Sequence, residues 1–247
     1  QSSAVVKQLS TNTTLLDADV LLLQEVPRKD KQSVPQGVNL ARTVAKTLKL
    51  NYVFGVEWDR RLDAKQAGEH GLAILSKYPI GNAKLLRHPA LYNFYWEKKD
   101  FGGRATLAAE IVVAGKRLQI YNSHLCTRDW TGSGRAKQAA EVLADASLAG
   151  TPAVKLLGGD LNTFLCNPKI ANCNKAPAAE KVIEQINKDG WTNLTGTFNG
   201  WTQMGAGFFP QRLDWLFGKG FTPVSHAALQ KVSAADHVPL LAVFSVP

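Results

Sequence analysis

The chain has 247 residues, of which 45% are hydrophobic and 20% are charged, a composition that supports a sizeable core and excludes a disordered or collagen-like chain. Its 29 Lys and Arg against 20 Asp and Glu give a net charge of +9, which is as consistent with a polyanionic partner as with a merely basic soluble protein. The longest apolar runs, such as Val20 to Leu23, are strand-sized, so no transmembrane helix is expected.

Strand and helix patterns alternate irregularly along the chain. The pattern predicts a helix over about 3–16, a strand over 19–24, a helix over 38–48, strands over 52–56, 72–76, 105–113 and 117–123, a helix over 135–148, a strand over 153–158, a helix over 178–188, and strands over 214–217 and 240–246. Gly150 and Gly190 follow the last two helices, as is typical of helix ends. Because no repeat or linker interrupts the pattern, we expect one domain over 1–247 with layered sheets flanked by helices, an α/β sandwich.

Two segments without a clear period are predicted to be long loops. They run from Tyr92 to Arg104 and from Asn199 to Gln211, and both are rich in aromatic residues and glycine. Long loops in compact domains often carry function. Their aromatic side chains are suited either to stacking on nucleic-acid bases or to packing beneath the loops.

Three cysteines are too few for a disulfide scaffold. Cys166 and Cys173 enclose a short polar loop, so a local disulfide and two free thiols are both open interpretations. A zinc site is disfavoured because no second pair of ligands has suitable spacing. The sequence starts at Gln1 without a signal-peptide pattern and constrains the compartment only weakly, with a secreted or periplasmic location favoured.

Polar residues lie at the ends of several of the apolar runs: three groups follow a run, and two stand before the last two predicted strands. Each alone is typical of a solvated turn or a helix cap, but five together indicate a functional site. They are Gln24-Glu25, Asn122-Ser123-His124, Gly158 to Asn162, Arg212-Leu213-Asp214 and Asp236-His237-Val238-Pro239.

These residue types are the ones that hydrolysis of a phosphodiester needs. Glu25 offers a hard oxygen ligand suited to Mg²⁺ or Mn²⁺. Asp160 and Asn162 are two residues apart and can face the same side of an extended segment. His124 and His237 titrate near neutral pH, and a neighbouring carboxylate fixes the tautomer of a histidine and raises its pKa.

The motifs Gln24-Glu25, GLAILSKYP (Gly71 to Pro79), NSHL (Asn122 to Leu125), GDLN (Gly159 to Asn162), RLD (Arg212 to Asp214) and DHVP (Asp236 to Pro239) occur in this order. Together they resemble the motif set of the endonuclease/exonuclease/phosphatase superfamily. The resemblance extends from about Asp19 to the C-terminus. It implies a DNase I-like fold, a four-layer α/β sandwich in which two β-sheets are flanked by helices.

The resemblance also implies roles for individual residues. His124 and His237 would act on the scissile phosphate, and Asp160 would orient or activate the attacking water. Asn162 would hold phosphate oxygens, and Asp214 would hydrogen-bond the imidazole of His237.

The metal and phosphate contacts follow from the same resemblance. Glu25 would bind the metal, and Asp236 would complete that site or bind a second ion. Asn122 would position the phosphate, and Arg104 matches a phosphate-contacting position less securely. Glu69 would pair with His124.

One feature departs from the family pattern. The family opens with a strand that carries an asparagine before its first helix, but only 23 residues precede Gln24 here, and they are predicted to be helical. Asn12 is a poor candidate for that asparagine because of its helical context. We therefore expect the domain's first strand to be absent from this sequence, because losing a central strand would expose backbone groups along its neighbours.

The sequence therefore predicts a metal-dependent phosphodiester hydrolase that uses Mg²⁺ or Mn²⁺, with Ca²⁺ as a further alternative. We expect a monomeric endonuclease that acts on nucleic acid, with DNA favoured, by in-line attack of water and without stable insertion into a membrane. A phosphatase or phospholipid phosphodiesterase of the same superfamily is the alternative. A catalytically inactive binding module is the third hypothesis, and the missing early asparagine is its only support.

Overall fold

The computed structural model describes residues 2–29, 39–59, 68–89, 101–127, 132–148, 154–163, 177–195, 201–204, 210–228 and 234–246. The chain divides into two compact units, Gln1–Ser123 and His124–Pro247. Within the described ranges, no helix is both long and apolar enough to cross a membrane. Cys166 and Cys173, whose pairing the sequence left open, lie outside these ranges, whereas Cys126 is a buried free thiol.

The described residues of the first unit form three helices and seven strands. They are α1 (Ser2–Thr11), α2 (Thr13–Asp17), β1 (Val20–Arg28), α3 (Leu40–Leu48), β2 (Asn51–Asp59), β3 (Glu69–Ser76), β4 (Ile80–Arg87), β5 (Phe101–Gly102), β6 (Ala105–Val113) and β7 (Lys116–His124), whose last residue begins the second unit. One sheet has the order β1-β3-β2-β5, and β4, β6 and β7 are neighbours in another. The central strand β3 is buried from Gly71 to Ser76.

The predicted N-terminal helix is two helices. Asn12 lies between them with an extended backbone, and its side-chain oxygen accepts a hydrogen bond from the Leu15 amide at 3.1 Å. Asparagine competes for helix backbone groups and is favoured at the N-cap, which explains the break. The early asparagine of this chain is therefore a helix cap.

The second unit contains two long helices and short strands. They are α4 (Ser133–Leu148), β8 (Val154–Asp160), α5 (Pro177–Lys188), β9 (Thr192–Asn193), β10 (Gln203–Met204), β11 (Pro210–Gln211), β12 (Asp214–Lys219), β13 (Thr222–Ala228) and β14 (Leu240–Ser245). Strands β8, β12 and β9 are neighbours in that order, and β10-β11 and β13-β14 form two-stranded sheets. Strand β8 is buried along its whole length.

Lysines bind the carbonyl groups near the ends of both long helices in this unit. The buried Lys155 donates from Nζ to the Ala146 carbonyl at 2.6 Å, and Lys219 donates to the Asp189 carbonyl at 2.7 Å. Gly190 has φ +83°, the left-handed conformation that commonly ends a helix. These contacts satisfy carbonyls that a helix C-terminus leaves without an intrahelical partner.

The two longer strands that were not predicted from the sequence, β4 and β13, are largely exposed. Every apolar run predicted as a strand forms one, but β4 and β13 were not predicted, nor were the two-residue strands β5, β9, β10 and β11. Strand β4 is largely exposed and mixes polar with apolar residues, and β13 contains Pro223. Such strands show little hydrophobic alternation in sequence, and their formation depends on pairing with neighbouring strands. The single-domain assignment and the missing first strand stay predictions.

Gly71 lies where β2 and β3 approach closely. A Cβ atom at position 71 would lie 2.1 Å from the Gly55 carbonyl oxygen and 2.8 Å from Cζ of Phe54. The obstacle is backbone, which cannot rotate away as a flexible side chain can. No side chain larger than hydrogen fits there without moving β2.

Gly71→Ala is expected to lower the free energy of unfolding by about 3 kcal/mol, the upper part of the range for overpacking, because the clash is with backbone. Urea denaturation followed by circular dichroism measures this. The matched control is Gly81→Ala on β4, where a Cβ would meet no atom within 4 Å and less than about 1 kcal/mol is expected. Equal effects of the two substitutions would contradict the packing argument.

Candidate active site

Two aspartates lie side by side in the second unit because of strand register. Strand β8 ends at Asp160, β12 begins at Asp214, and the antiparallel pairing places these residues directly opposite each other. Opposite residues of an antiparallel pair have side chains on the same face of the sheet. The pairing therefore brings together two carboxylates that are 54 positions apart in sequence.

Asp214 holds His237. Nδ1 of His237 lies 2.7 Å from Oδ2 of Asp214. The buried Thr202 fixes the backbone around both residues: its hydroxyl accepts hydrogen bonds from the Leu213 and Asp214 amides at 3.0 and 3.1 Å, and its carbonyl accepts one from the Val238 amide at 2.7 Å. The sequence analysis did not single out Thr202, since a threonine in a loop carries no distinctive pattern.

The pKa of His237 is raised to about 9. Burial of the ring lowers this pKa, but the hydrogen bond and charge of Asp214, aided by the charges of Asp160 and Asp236, outweigh burial. His237 is therefore an imidazolium at neutral pH, and its Nδ1–H donates to Asp214. This geometry leaves Nε2 as the nitrogen that can donate to a phosphate.

His124 and Asp160 form a second histidine–carboxylate pair. Nε2 of His124 lies 3.6 Å from Oδ2 of Asp160, and both residues are buried. The other oxygen of Asp160 accepts a hydrogen bond from the Asn162 amide at 2.8 Å. Contacts of this length between catalytic groups commonly shorten when substrate binds.

Asn162 supports this pair from the loop after β8. Its side-chain amide donates to the Leu125 carbonyl at 2.8 Å, while the Leu125 amide donates to the Asp160 carbonyl at 3.0 Å. Asn162 has φ 51°, in the left-handed region that asparagine tolerates better than most residues. These bonds connect the residue after His124 to the end of β8.

Asp236 is exposed beside His237. Its predicted role in metal binding is compatible with that exposure, since Mg²⁺ retains several waters. Among the residues that the structure describes, no three histidine, cysteine or acidic side chains form a group that could hold a metal ion.

In the first unit, Glu25 lies in a β-bulge. Between the pairs Leu23–Ala73 and Val26–Gly71, β1 contributes two residues where β3 contributes one. Glu25 has φ 52°, a strained conformation for glutamate, and its side chain is exposed. The bulge thus directs a carboxylate to solvent, which suits a hydrated Mg²⁺ or Mn²⁺ that takes one or two carboxylates.

Asn122 fixes the strand that carries Glu25. Its side-chain amide donates to the carbonyls of Leu23 and Ala73, both at 2.9 Å, and its oxygen accepts a hydrogen bond from Gln24 at 2.6 Å. Both amide hydrogens are therefore donated within the protein. In this arrangement Asn122 positions β1 and β3, and a contact with a phosphate would require one of these bonds to break.

Glu69 forms an ion pair with Arg28, and the Arg28 guanidinium lies 4.8 Å from the centre of the Phe54 ring. The predicted pairing of Glu69 with His124 stays a prediction. Arg104 pairs with a glutamate that the sequence analysis missed, Glu57, through Nη1 and Oε1 at 3.3 Å. Glu57 follows the apolar run of β2, which is the same signal that drew attention to the other site residues.

A family model for the endonuclease/exonuclease/phosphatase family matches residues 1–237. The chain belongs to this family. The sequence has no match among curated proteins. The resemblance inferred from the motifs is confirmed. The chain belongs to a superfamily of hydrolases.

Solved structures of this family have the same fold. An endonuclease/exonuclease/phosphatase from Beutenbergia cavernae has a TM-score of 0.76 and 18% identity, and the match covers all of this chain and 66% of that protein, just under two thirds of its length. The catalytic domain of human Nocturnin has a TM-score of 0.69 and 16% identity, with 98% of this chain and 85% of that domain covered. At these identities the likeness shows the fold, and it confirms the predicted DNase I-like α/β class.

A third similar structure is that of TDP2 from D. rerio in complex with a single-stranded DNA product. Its TM-score is 0.63 at 17% identity, and the match covers 99% of this chain and 93% of that chain.

Asp214→Asn is expected to lower the pKa of His237 by roughly two pH units, because the charge that opposes burial is lost. Titration of the imidazole resonances by NMR in chelator-treated protein measures this. The exposed His226 on β13 serves as internal reference. An unchanged pKa of His237 in the variant would contradict the assignment of Asp214 as its main partner.

The His237–Asp214 pair predicts that the stability of the folded protein depends on pH. Because the pKa of His237 is raised on folding from 6.5 to about 9, its contribution to stability is fully present below pH 6.5 and is lost as pH rises through 9. The melting temperature should therefore fall over this interval, and fall less in Asp214→Asn. An equal fall in both proteins would show that other groups cause it.

Proposed function

We propose that the protein is a divalent-metal-dependent phosphodiester hydrolase that cuts nucleic acid internally, with DNA as its favoured substrate. One observation carries this proposal: a member of a hydrolase family holds two histidine–aspartate pairs, His124–Asp160 and His237–Asp214, whose aspartates lie opposite each other on the adjacent strands β8 and β12. Such pairs supply general acids, general bases and fixed positive charge for phosphoryl chemistry.

His237 stabilises the negative charge that develops on the phosphate oxygens during hydrolysis. Asp214 holds the imidazolium through a hydrogen bond to Nδ1. This bond fixes the orientation of the ring and therefore the direction of Nε2–H. From Nε2 the ring donates a hydrogen bond to a phosphoryl oxygen or a proton to the leaving oxygen. A fixed donor of this kind is worth more in a partly buried site than in water.

Asp160 orients the attacking water. One of its oxygens is held by the Asn162 amide and the other faces His124, so the carboxylate cannot rotate freely. A carboxylate in this state accepts a hydrogen bond from water along a defined direction. His124, buried beside it, adds an imidazole that can take up or release a proton.

Glu25 in the first unit is a residue that would hold Mg²⁺ or Mn²⁺, and Asp236 in the second unit is a further carboxylate that would bind such an ion. Both are exposed carboxylates, the ligand type that these hydrated ions prefer. The bound ion would neutralise negative charge on the phosphate oxygens.

The charge of the protein supports a nucleic-acid substrate. A net charge of +9 attracts a phosphate backbone, and the TDP2 structure that this chain resembles contains a single-stranded DNA product. The loops expected to discriminate nucleic acid from lipid, 92–104 and 199–211, lie largely outside the described residues. Sphingomyelin and inositol phosphates are therefore included as competing substrates in the test.

Purified protein should nick supercoiled plasmid with Mg²⁺ or Mn²⁺ and lose this activity with EDTA. His237→Ala should lower kcat by about 10³-fold, as expected for loss of a general acid. His226→Ala, which removes an exposed histidine on β13, is the matched control and should keep full activity. Full activity of His237→Ala would refute the mechanism, and hydrolysis of sphingomyelin or inositol phosphates without any cleavage of DNA or RNA would overturn the substrate.

A further inference from the structure

Glu57 is a fully buried carboxylate that belongs to none of the sequence motifs. It lies in β2 at a second β-bulge: Val56 pairs with Gly71 and Trp58 with His70, so Glu57 is the extra residue of β2 at this point. A bulge changes the direction of a side chain relative to the regular alternation of a strand. Here it accompanies a carboxylate that is 0% exposed in the protein interior.

The bulge is fixed by hydrogen bonds to its backbone carbonyls. Arg87 donates to the carbonyls of Glu57 and Val56 at 3.3 and 3.1 Å, and the Gly103 amide donates to the Glu57 carbonyl at 3.2 Å. The His88 amide donates to the Arg104 carbonyl at 2.9 Å. The ends of β4 and the segment before β6 are therefore tied to the residue that carries the buried carboxylate.

Arg104 is held between a carboxylate and an aromatic ring. Its Nη1 lies 3.3 Å from Oε1 of Glu57, its guanidinium lies 5.3 Å from the centre of the Trp58 ring, and its side chain is 11% exposed. Trp58 in turn stacks on His70 with ring centres 5.5 Å apart and an angle of 11°. The plane and direction of the guanidinium are thus constrained by two separate contacts.

Burying a glutamate carries a free-energy cost, so it is an inefficient way to stabilise a fold. Burial raises the pKa of Glu57 to about 8, although the charge and hydrogen bond of Arg104 act in the opposite direction. Buried ion pairs often add no net stability over apolar residues of similar volume. The effect of this pair is therefore on the orientation of the Arg104 side chain.

We propose that Glu57 is a positioning residue that holds the Arg104 guanidinium in the orientation in which it binds a phosphate group of the substrate. This inference rests on the proposed function. Guanidinium has five N–H donors in a planar fork that matches phosphate oxygens, and the contact with Glu57 engages one of them, at Nη1. Fixing the plane beforehand removes part of the entropy cost of forming such a contact.

The protonation of Glu57 controls the charge offered to the substrate. Four basic groups lie near it: the guanidinium of Arg104, that of Arg87 at the bulge carbonyl, and the imidazoles of His88 and His70. With Glu57 neutral, the Arg104–Glu57 pair carries a net positive charge. With Glu57 ionised, the pair is neutral, so affinity for an anionic substrate falls as pH rises through about 8.

The experiment compares two substitutions of Glu57 with a matched control. Glu57→Leu removes the contact, and Glu57→Gln keeps an acceptor oxygen but cannot ionise. The control is Glu110→Gln, which alters a glutamate paired with Arg117 at 3.6 Å on β6. Steady-state kinetics on a DNA oligonucleotide and its binding in EDTA, followed by fluorescence anisotropy, are measured at pH 7 and pH 9.

Glu57→Leu should raise KM and the dissociation constant about tenfold at pH 7, the loss expected when a charge-assisted hydrogen bond is weakened, with kcat within about twofold. Glu57→Gln should match the wild type at pH 7 and should weaken less than the wild type at pH 9, where deprotonation of His237 lowers the affinity of both proteins. Glu110→Gln should behave as the wild type at both values. In an Arg104→Ala background, Glu57→Leu should have no further effect.

A wild-type KM in Glu57→Leu, or an equal loss with and without Arg104, would overturn the positioning role. If Glu57→Leu does not fold, as judged by circular dichroism, Glu57→Gln decides: binding that weakens at pH 9 as much as in the wild type refutes the proposal. A wild-type protein that binds the oligonucleotide but hydrolyses nothing would refute the proposed function, while the binding data still test Glu57.

Discussion

The antiparallel register between β8 and β12 is the constraint on which the second unit's site depends. It sets Asp160 opposite Asp214, and each of these carboxylates then holds a histidine from another part of the chain. A slip of one residue would turn one of the two aspartates to the opposite face of the sheet and separate the pairs. The complete burial of β8 makes such a slip costly, because its apolar residues would lose their core positions. Core packing therefore determines the spacing of polar groups that contribute little to the core.

Gly71 plays a comparable part in the first unit. It pairs with Val26 at the end of the bulge that contains Glu25, and with Val56 at the start of the bulge that contains Glu57. Two irregularities, in the two strands on either side of β3, thus meet at one residue without a side chain. Each irregularity places a glutamate outside the normal alternation, one toward solvent and one into the interior. The GLAILSKYP motif therefore combines a buried central strand with the residue that allows both bulges.

The sequence predicted those features that apolar pattern and local chemistry determine. The buried strands carry long apolar runs. Glu25, His124 and Asp160 stand out because they follow such runs, and Asp214 stands out because it directly precedes one. Strands β4 and β13 were missed because their exposed residues carry no pattern without their partners. The hydrogen bonds of Asn122 were beyond prediction, since they join it to Gln24, 98 positions away. Glu57 was missed because a bulge, which depends on the pairing register, decides which way its side chain points.

The left-handed backbone of Glu25 has a consequence for how variants of this protein are judged. A glutamate in that conformation costs folding free energy that glycine would not, on the order of 1 kcal/mol. Because the side chain is exposed, packing does not offset this free-energy cost. A library screened for thermal resistance alone would therefore tend to discard this side chain, and would enrich well-folded proteins that have lost the carboxylate expected to bind the metal.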